Sequence, residues 1–286
     1  MPTPGSAEAS GTIDDASVDL AALDTSRPNI ARVYDYWLGG KDNFAADREE
    51  AERMLGVYPE LALLARENRL FLSRAVAWLA EQGIRQFLDI GSGLPTAQNT
   101  HQVAQEVEPT CRVVYVDNDA LVLAHARALL KDSYVDAVAG DVRDPASILT
   151  NPAVLNLIHP REPVALILCL ILHFFDADTA KDITSAFVNS LAPGSYLVLS
   201  VGSGDEETGK QLTSEYSAGT LYNHSPARIA GFFDGLELVG PGLIDARDWQ
   251  PNLTTVPVEH RGGRILAGVG RKVARDGPTT SCRASI

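Results

Sequence analysis

Short apolar runs alternate with helical segments through the middle of this 286-residue chain, and the alternation limits the folds open to it. Five such runs are predicted as strands, at residues 85–90, 112–116, 135–139, 164–170 and 196–201. Helical spacing is found between them, for example over 96–107 and 120–131. Strands that alternate with helices indicate crossover units, in which a parallel sheet is covered on both faces.

Two further strands are predicted at 236–243 and 264–270, with no helix-sized segment between them. They should close the sheet as an antiparallel pair. The expected fold class is α/β, with a seven-stranded, mainly parallel sheet and one antiparallel edge strand.

Three predicted helices precede the sheet, at 30–40, 47–55 and 59–82, and Gly83 stands where the third should end. They have no place in the alternation, so they should pack over the carboxyl ends of the strands, where open parallel sheets bind ligands.

Segments with little to bury should be disordered. We therefore expect a disordered acidic tail over 1–26, an N-terminal helical cap or lid over 27–82, the sheet domain over 83–272 and a second disordered tail over 273–286.

Charge and hydropathy exclude several classes of function. The chain has 24 Lys and Arg against 37 Asp and Glu, a formal net charge of −13, whereas nucleic acids are bound by clustered basic residues. No apolar run approaches the roughly 20 residues that cross a bilayer, and the first residues lack a signal-peptide pattern. The cysteines form no C-x-x-C pair and have no histidine at zinc spacing. We expect a cytoplasmic protein without a metal site, acting neither on nucleic acid nor at a membrane.

A glycine loop follows the first predicted strand, in the sequence F-L-D-I-G-S-G-L-P-T at 87–96. Gly91 and Gly93 suit a tight turn where a ligand approaches the backbone without a Cβ in its way. A dinucleotide fingerprint requires a small residue where this chain has Thr96, which weakens the case for NAD. Asp89 sets a carboxylate beside the loop, which is unfavourable for a diphosphate but suits a cationic amine. The loop therefore points to a nucleotide that carries an amino acid.

Acidic residues also end the second and third predicted strands. Asp117 can accept hydrogen bonds from both hydroxyls of a ribose, whereas Asp119 suits the cap of the next helix. A solvated loop residue is the alternative for Asp117, but its place after a glycine-loop strand favours the ribose. Asp141 could accept from an adenine amino group while Val142 packs on the ring. A plain turn before Pro145 is the competing interpretation there.

These elements together resemble the class I S-adenosylmethionine-dependent methyltransferases, over roughly residues 82–272. D-x-G-x-G after the first strand, an acid that ends the second and G-D after the third form that superfamily's cofactor signature. The match becomes closer with N-I-A-R-V-Y-D-Y-W-L-G-G-K-D-N-F at 29–44, A-R-E-N-R-L-F-L-S-R-A-V at 65–76, G-I-R-Q-F-L-D-I-G-S-G-L-P-T at 83–96 and L-H-F at 172–174. Residues 28–272 resemble one actinobacterial family of predicted S-adenosylmethionine methyltransferases whose substrates are mostly unassigned.

The resemblance implies a Rossmann-like methyltransferase domain over 83–272 and S-adenosylmethionine as cofactor. It assigns Asp89, Gly91 and Gly93 to the methionine part, Asp117 and Asn118 to the ribose and adenine, and Asp141 with Val142 to the adenine. The N-P-P-Y type motif of adenine, cytosine and glutamine N-methyltransferases is absent after the fourth strand. The chain has Leu172-His173 there, which looks like the small-molecule methyltransferases.

Several polar and aromatic residues are candidates for chemistry. His173 lies near where the methyl group would point and could act as general base, although a histidine bonded to backbone is the alternative. Asn68 and Arg69 are the best partners for the cofactor's carboxylate, Arg69 by a paired hydrogen bond. The aromatic and polar residues of 34–44 favour a lid over the sulfonium or acceptor rather than a packed turn. The candidate lid and substrate residues are Tyr34, Tyr36, Trp37, Lys41, Asn43 and Phe44.

The first hypothesis is a methyltransferase acting on a small metabolite, with secondary metabolism as a setting. The alternative is a non-catalytic S-adenosylmethionine-binding protein that regulates or scaffolds a partner, because the cofactor residues fit both. An NAD oxidoreductase is disfavoured by Thr96 and Asp89. The sequence carries no signal for a particular acceptor or oligomeric state.

Overall fold

The computed structural model describes residues 24–95, 98–129, 133–249 and 263–274. Most of the two predicted disordered tails, namely 1–23 and 275–286, lies outside the described residues. Within the described ranges no helix is both long enough and apolar enough to span a membrane.

The strands of the described chain are β1 Gln86–Ile90, β2 Arg112–Asp117, β3 Val135–Ala139, β4 Ala165–Cys169, β5 Tyr196–Gly204, β6 Glu237–Asp245 and β7 Gly263–Arg271. They form one sheet in the order β3-β2-β1-β4-β5-β7-β6. The first five strands pair in parallel, and β7 pairs antiparallel with both β5 and β6. The predicted α/β fold with a seven-stranded, mainly parallel sheet and antiparallel pairing at one edge is confirmed. Since β7 inserts beside β5, β6 is the outermost strand.

Helices cover both faces of the sheet. In the described chain they are α1 Ile30–Trp37, α2 Ala45–Val57, α3 Leu61–Glu81, α4 Thr100–Val107, α5 Ala120–Leu129, α6 Pro145–Thr150, α7 Pro152–Leu157, α8 Ala177–Ser190, α9 Glu206–Glu215 and α10 Pro226–Gly231, with a 3₁₀ turn at Leu172–Phe174. One apolar layer joins α3, α4 and α5 to the sheet, and the opposite layer joins α6, α7, α8 and α10 to it. Neighbouring side chains of β1, Phe87 and Leu88, enter opposite layers because side chains alternate along a strand.

Local sequence explains where several helices begin and end. Gly83 ends α3 as predicted: its φ is +91°, and the next amide, of Ile84, donates to the carbonyl of Leu79 at 3.0 Å. The predicted helix over 96–107 is wrong at residues 98 and 99, because α4 begins at Thr100, and residues 96 and 97 lie outside the described residues. Asn99 caps that helix, and its backbone N–H donates to Oε1 of Gln102 at 2.9 Å in a capping box.

Helices α1 and α2 form a cap that packs against α9 through a separate apolar cluster, which includes Val33, Met54 and Tyr216. A buried ion pair joins the two cap helices, with 2.8 Å between Nε of Arg32 and Oδ2 of Asp47. The long helix α3, by contrast, shares the core of the sheet itself. The cap therefore sits over the carboxyl ends of the parallel strands and is held there by α3.

Candidate active site

A cavity of about 420 Å³ lies at the carboxyl ends of β1 to β5, beneath the cap. We call the part lined by the loops after β1, β2 and β3, together with Arg69, the loop half. The apolar half is lined by the cap helices, the 3₁₀ turn after β4, the end of β5, α9 with the segment that follows it, and the start of β7. The cavity brings together every residue that the sequence suggested for the cofactor, namely Asp89, Gly91, Gly93, Asp117, Asn118, Asp141, Val142, Asn68 and Arg69. His173 lines the same cavity.

The glycine loop requires its glycines for two reasons. Gly91 and Gly93 have φ values of +68° and +66°, a region that side chains with a Cβ rarely adopt. A Cβ on Gly91 would also lie 2.9 Å from Cδ1 of Ile171. A side chain at either position would therefore strain the loop, and a side chain at Gly91 would also displace Ile171.

Asp89 is the buried acid beside the glycine loop, with 5% of its surface exposed. Its Oδ2 accepts a 2.6 Å hydrogen bond from Oγ1 of Thr100. Burial raises the pKa of the Asp89 carboxyl to about 6, against the opposing effects of Thr100 and the nearby guanidinium of Arg69. A cationic ligand group at this carboxyl would favour its ionised form.

Asp117 organises the loops at the end of β2. One carboxylate oxygen accepts from the amide of Gly93 at 2.9 Å and the other from the amide of Asp119 at 3.0 Å. Burial raises its pKa. A carboxylate offers about four acceptor positions, so both oxygens can still accept from ligand hydroxyls. The neighbouring Asn118 is exposed and lines the cavity.

Asp119 is the N-cap residue of α5, as predicted, and it also binds the start of helix α1. Its Oδ1 accepts from the amides of Leu121 at 2.7 Å and Val122 at 3.2 Å. Its Oδ2 accepts a 2.6 Å hydrogen bond from Nδ2 of Asn29, which lines the cavity at the start of α1. Asn29 was not among the site residues suggested by the sequence, because only the folded chain brings residue 29 to residue 119.

The loop after β3 presents one apolar and one ionic group. Val142 is buried and lines the cavity. Asp141 accepts from the backbone amide and from Nε of Arg143, both at 2.9 Å, and this pairing lowers its pKa. An adenine amino group would have to share the Asp141 carboxylate with Arg143.

Asn68 and Arg69 are neighbours on α3 with different partners. Oδ1 of Asn68 accepts from Oγ of Ser200 at 2.6 Å, and its Nδ2 donates to the hydroxyl of Tyr34 at 3.1 Å. The Tyr34 hydroxyl in turn donates to the carbonyl of Ala65 at 3.0 Å. Arg69 is half-buried and lines the cavity, and it makes no hydrogen bond or ion pair with the described residues. Its guanidinium is the better placed of the two for a ligand carboxylate.

The segment 34–44 contributes two of its predicted substrate residues to the cavity lining, Tyr34 and Trp37. Nε1 of Trp37 donates to the carbonyl of Ala51 at 3.3 Å, which fixes the indole against α2. Tyr36, Lys41, Asn43 and Phe44 are not among the residues that line it. The hydroxyl of Tyr36 bonds Glu52 outside the cavity, Lys41 is exposed, and the ring of Phe44 lies 5.3 Å from the guanidinium carbon of Arg32.

The same segment is also a tightly built turn. Oδ2 of Asp35 accepts from the amide of Asp42 at 3.0 Å and from Nδ2 of Asn43 at 2.9 Å. A Cβ on Gly40 would lie 1.9 Å from Oδ1 of Asp35, so only glycine fits. The polar residues and one glycine of this segment therefore have structural partners of their own.

His173 presents a neutral imidazole to the apolar half. Its Nδ1 is buried and has no hydrogen-bond partner within the described chain. Burial, reinforced by nearby His224, lowers the pKa of His173 to about 3. Just before it, Leu170 has a φ of +52°, a strained conformation of the kind found at binding sites.

The remaining wall of the apolar half combines Phe174, from the L-H-F motif, with residues that belong to no motif. Phe174 stacks on Tyr216, with ring centroids 6.5 Å apart, and Met54, Leu212 and Leu221 complete the surface. The four-residue spacing of Leu212 and Tyr216 is the one sequence signal that indicates this face. Sequence reasoning missed these residues because α9 is otherwise polar.

A hydrogen-bonded clasp joins α2 to Ser217, the residue after Tyr216 of the apolar half. The carboxylate of Glu50, on α2, accepts from the amide of Ser217 at 2.7 Å and from its hydroxyl at 2.8 Å. Arg53 pairs with the same carboxylate at 2.8 Å. The clasp ties the cap to the segment after α9, so this contact shapes the apolar half.

The sheet order, the bare glycine loop and the acids at three successive strand ends define a Rossmann-like methyltransferase fold. The family model described as S-adenosyl methyltransferase matches residues 17–273 of this chain. The chain belongs to that family and is an S-adenosylmethionine-dependent methyltransferase. No group of three or more potential metal ligands occurs in the part of the chain that the structure describes.

Solved structures support the same assignment. The chain is similar to a candidate methyltransferase from Thermobifida fusca, with 43% identity and a TM-score of 0.82 over 88% of this chain and 97% of that one. It is also similar to a DUF574 family protein from Streptomyces avermitilis, with 37% identity and a TM-score of 0.80 over 87% of this chain and 99% of that one. A comparison with curated proteins gave no match.

Proposed function

We propose that the protein methylates a small molecule bound in the apolar half of the cavity. The observation that carries this proposal is that the cavity continues past the loop half into the apolar half, beneath the cap and beside His173. The two halves together have a volume of about 420 Å³, within the roughly 300–1,000 Å³ typical of small-molecule pockets. The formal net charge of −13 disfavours polyanionic acceptors such as nucleic acids. A cytoplasmic metabolite, of the kind modified in secondary metabolism, is the corresponding acceptor class.

The loop half suits S-adenosylmethionine chemically. Asp89 would hold the amine and Arg69 the carboxylate, while Asp117 and Asn118 would receive the ribose. Val142, with Asp141 beside it, would contact the adenine. The bare backbone at Gly93 supports this fit, since a Cβ there would meet no protein atom within 4 Å and would project into open space. When bound, this cofactor supplies a methyl group on a cationic sulfur.

The protein's own part in the reaction is alignment. Methyl transfer is an in-line displacement, so donor and acceptor must be held in one geometry. The chain from Ser200 through Asn68 to Tyr34 fixes the ring of Tyr34 against the cavity. The free Nδ1 of His173 would accept a hydrogen bond from the acceptor and orient its nucleophilic atom.

The N-terminal segment 27–82, which contains the cap and helix α3, belongs to the active site in this proposal. Asn29, Tyr34, Trp37 and Met54 all line the cavity, so residues 27–82 would contribute to binding of both ligands. Tyr36 and Lys41 would act only through the fold of the segment that carries them.

A two-part experiment tests the proposed function. Calorimetry with S-adenosylhomocysteine measures binding in the loop half, and transfer of a radiolabelled methyl group to a metabolite library measures turnover. We expect His173→Phe to retain S-adenosylhomocysteine binding and lose turnover, while Tyr36→Phe, which alters a ring outside the cavity, retains both. Transfer to nucleic acid or protein, with none to small molecules, would refute the acceptor class.

A further inference from the structure

Charge is distributed unevenly within the cavity. Four carboxylates line it, and all belong to the loop half: Asp89, Asp117, Asp119 and Asp141. Arg264, at the start of β7, is the one charged side chain among the described residues that line the apolar half. No carboxylate of the described chain therefore lines the space beside His173.

Four titratable groups on this side of the cavity favour their neutral forms. Burial lowers the pKa of His173 to about 3 and raises those of Tyr34 and Cys169 to about 12. Burial also raises the pKa of Tyr216. These shifts share one cause, because buried surroundings solvate a charge poorly. A charged group of a ligand would meet the same surroundings.

One buried ring nitrogen in this half has no hydrogen-bond partner among the described residues, and it is an acceptor in the tautomer that carries the proton on Nε2. Nδ1 of His173 is buried and unpaired in the described structure. The hydroxyl of Tyr34, by contrast, already bonds Ala65 and Asn68, and Oγ of Ser203 donates to the carbonyl of His224 at 3.3 Å. A buried acceptor without a partner is unfavourable, so a ligand donor at Nδ1 would satisfy it.

We infer that the methyl acceptor is an uncharged, largely apolar hydroxy compound, an alcohol or a phenol, whose O–H donates to Nδ1 of His173. A protonated amine would lose its hydration without a carboxylate to pair with. The sulfonium of the cofactor would repel it as well. Phe174, Tyr216 and Trp37 offer faces for an apolar body, and cation–π attraction to these rings is the competing effect. The inference rests on the proposed function, because it names the substrate class of that site.

The group transfer balances for such an acceptor. A bond forms between the hydroxyl oxygen and the methyl carbon, while the carbon–sulfur bond breaks and leaves its electron pair on sulfur. The products are a methyl ether and S-adenosylhomocysteine. The hydroxyl proton, which becomes strongly acidic as the oxygen is alkylated, passes to Nδ1 of His173 and then to water.

Matched probe pairs test the charge preference. Benzyl alcohol against benzylamine, 2-phenylethanol against 2-phenylethylamine, and 2-naphthylmethanol against 2-naphthylmethylamine would be titrated at pH 7.5 into protein saturated with S-adenosylhomocysteine. At least one hydroxy compound should bind 10-fold or more tighter than its ammonium partner. The inference is overturned if no hydroxy compound binds more tightly than its ammonium partner. It is also overturned if none of the hydroxy compounds binds.

A variant separates charge from shape. Thr213 is exposed on α9 and lines the apolar half, so Thr213→Asp adds a carboxylate and Thr213→Asn adds a neutral group of similar size. The aspartate variant should reduce the preference at least 5-fold, and the asparagine variant should leave it unchanged. An equal preference in both variants would overturn the inference. Protein that does not bind S-adenosylhomocysteine would refute the proposed function, whereas protein that binds it without charge preference would refute only this inference.

Discussion

Replacing Asp89 with asparagine should make the ligand-free protein more stable while weakening cofactor binding. The carboxyl is buried at the end of β1, and its pKa is raised from 3.8 to about 6. An acid whose pKa is higher in the folded state stabilises the fold while protonated, and that contribution is lost as the pH rises through 6. The amide of the variant keeps the shape and can accept from Thr100 without ever carrying charge.

The size of the effect follows from the shift. A difference of about two pKa units corresponds to about 3 kcal/mol, at 1.36 kcal/mol per unit. Below pH 4 the variant and the unaltered protein should have similar free energies of unfolding, and the gap should open between pH 4 and 6. At pH 7.5 the variant should be more stable by up to about 3 kcal/mol, or about 5 °C in Tm for a chain of this length.

Scanning calorimetry between pH 4 and 7.5, with and without S-adenosylhomocysteine, measures both effects. Ligand at 100 times Kd stabilises a protein by about 2.7 kcal/mol, and the variant should lose most of that gain. Glu106→Gln, which removes an exposed acid on α4, is the control and should change neither quantity. A variant less stable at pH 7.5 would show that the ionised carboxylate supports the fold. If the variant is more stable but binds S-adenosylhomocysteine with unchanged affinity, then Asp89 does not hold the amine of the ligand.

Three other substitutions have defined outcomes. Gly91→Val should abolish S-adenosylhomocysteine binding in a folded protein, because φ is +68° and the added Cβ lies 2.9 Å from Ile171; calorimetry and circular dichroism check the two halves of this claim. Asp117→Ala should weaken S-adenosylmethionine binding by about 1.5–3 kcal/mol, and unchanged affinity would place the ribose elsewhere. Glu50→Ala should raise the acceptor KM several-fold and leave cofactor affinity unchanged, because it breaks the clasp to Ser217. Steady-state kinetics measures this KM, and an unchanged value would contradict the prediction.

The parallel part of the sheet could be predicted from sequence because its strands, such as β1, β2 and β4, are buried and apolar along most of their length. Residues 135–139 match β3, and the other predicted strands overlap the observed ones. Helix ends were predicted less well where they depend on side-chain caps. The start of α4 depends on Asn99 and Gln102, whose reciprocal hydrogen bonds outweigh the helical spacing that begins at residue 96.

The segment 34–44 shows why composition alone does not separate a binding loop from a packed turn. Glycines, polar groups and aromatic rings suit both. The distinction arises in three dimensions, where Asp35 receives Asn43 and leaves no room for a Cβ at Gly40. Tyr34 and Trp37 face the cavity because the helical turn between them presents both rings on one side.

The two halves of the cavity differ in how far the sequence could predict them, and the difference is physical. In the loop half each acid lies at or just after the carboxyl end of a strand, so the parallel sheet brings Asp89, Asp117 and Asp141 to one edge. In the apolar half, Trp37 and Leu212 meet only because the cap packs against α9. A cofactor site built on strand ends is determined by the sheet, whereas an acceptor site built from packed helices can change shape when one helix changes. The cofactor could therefore be inferred from local motifs, and the nature of the acceptor only from the charges and free hydrogen-bond groups of the folded chain.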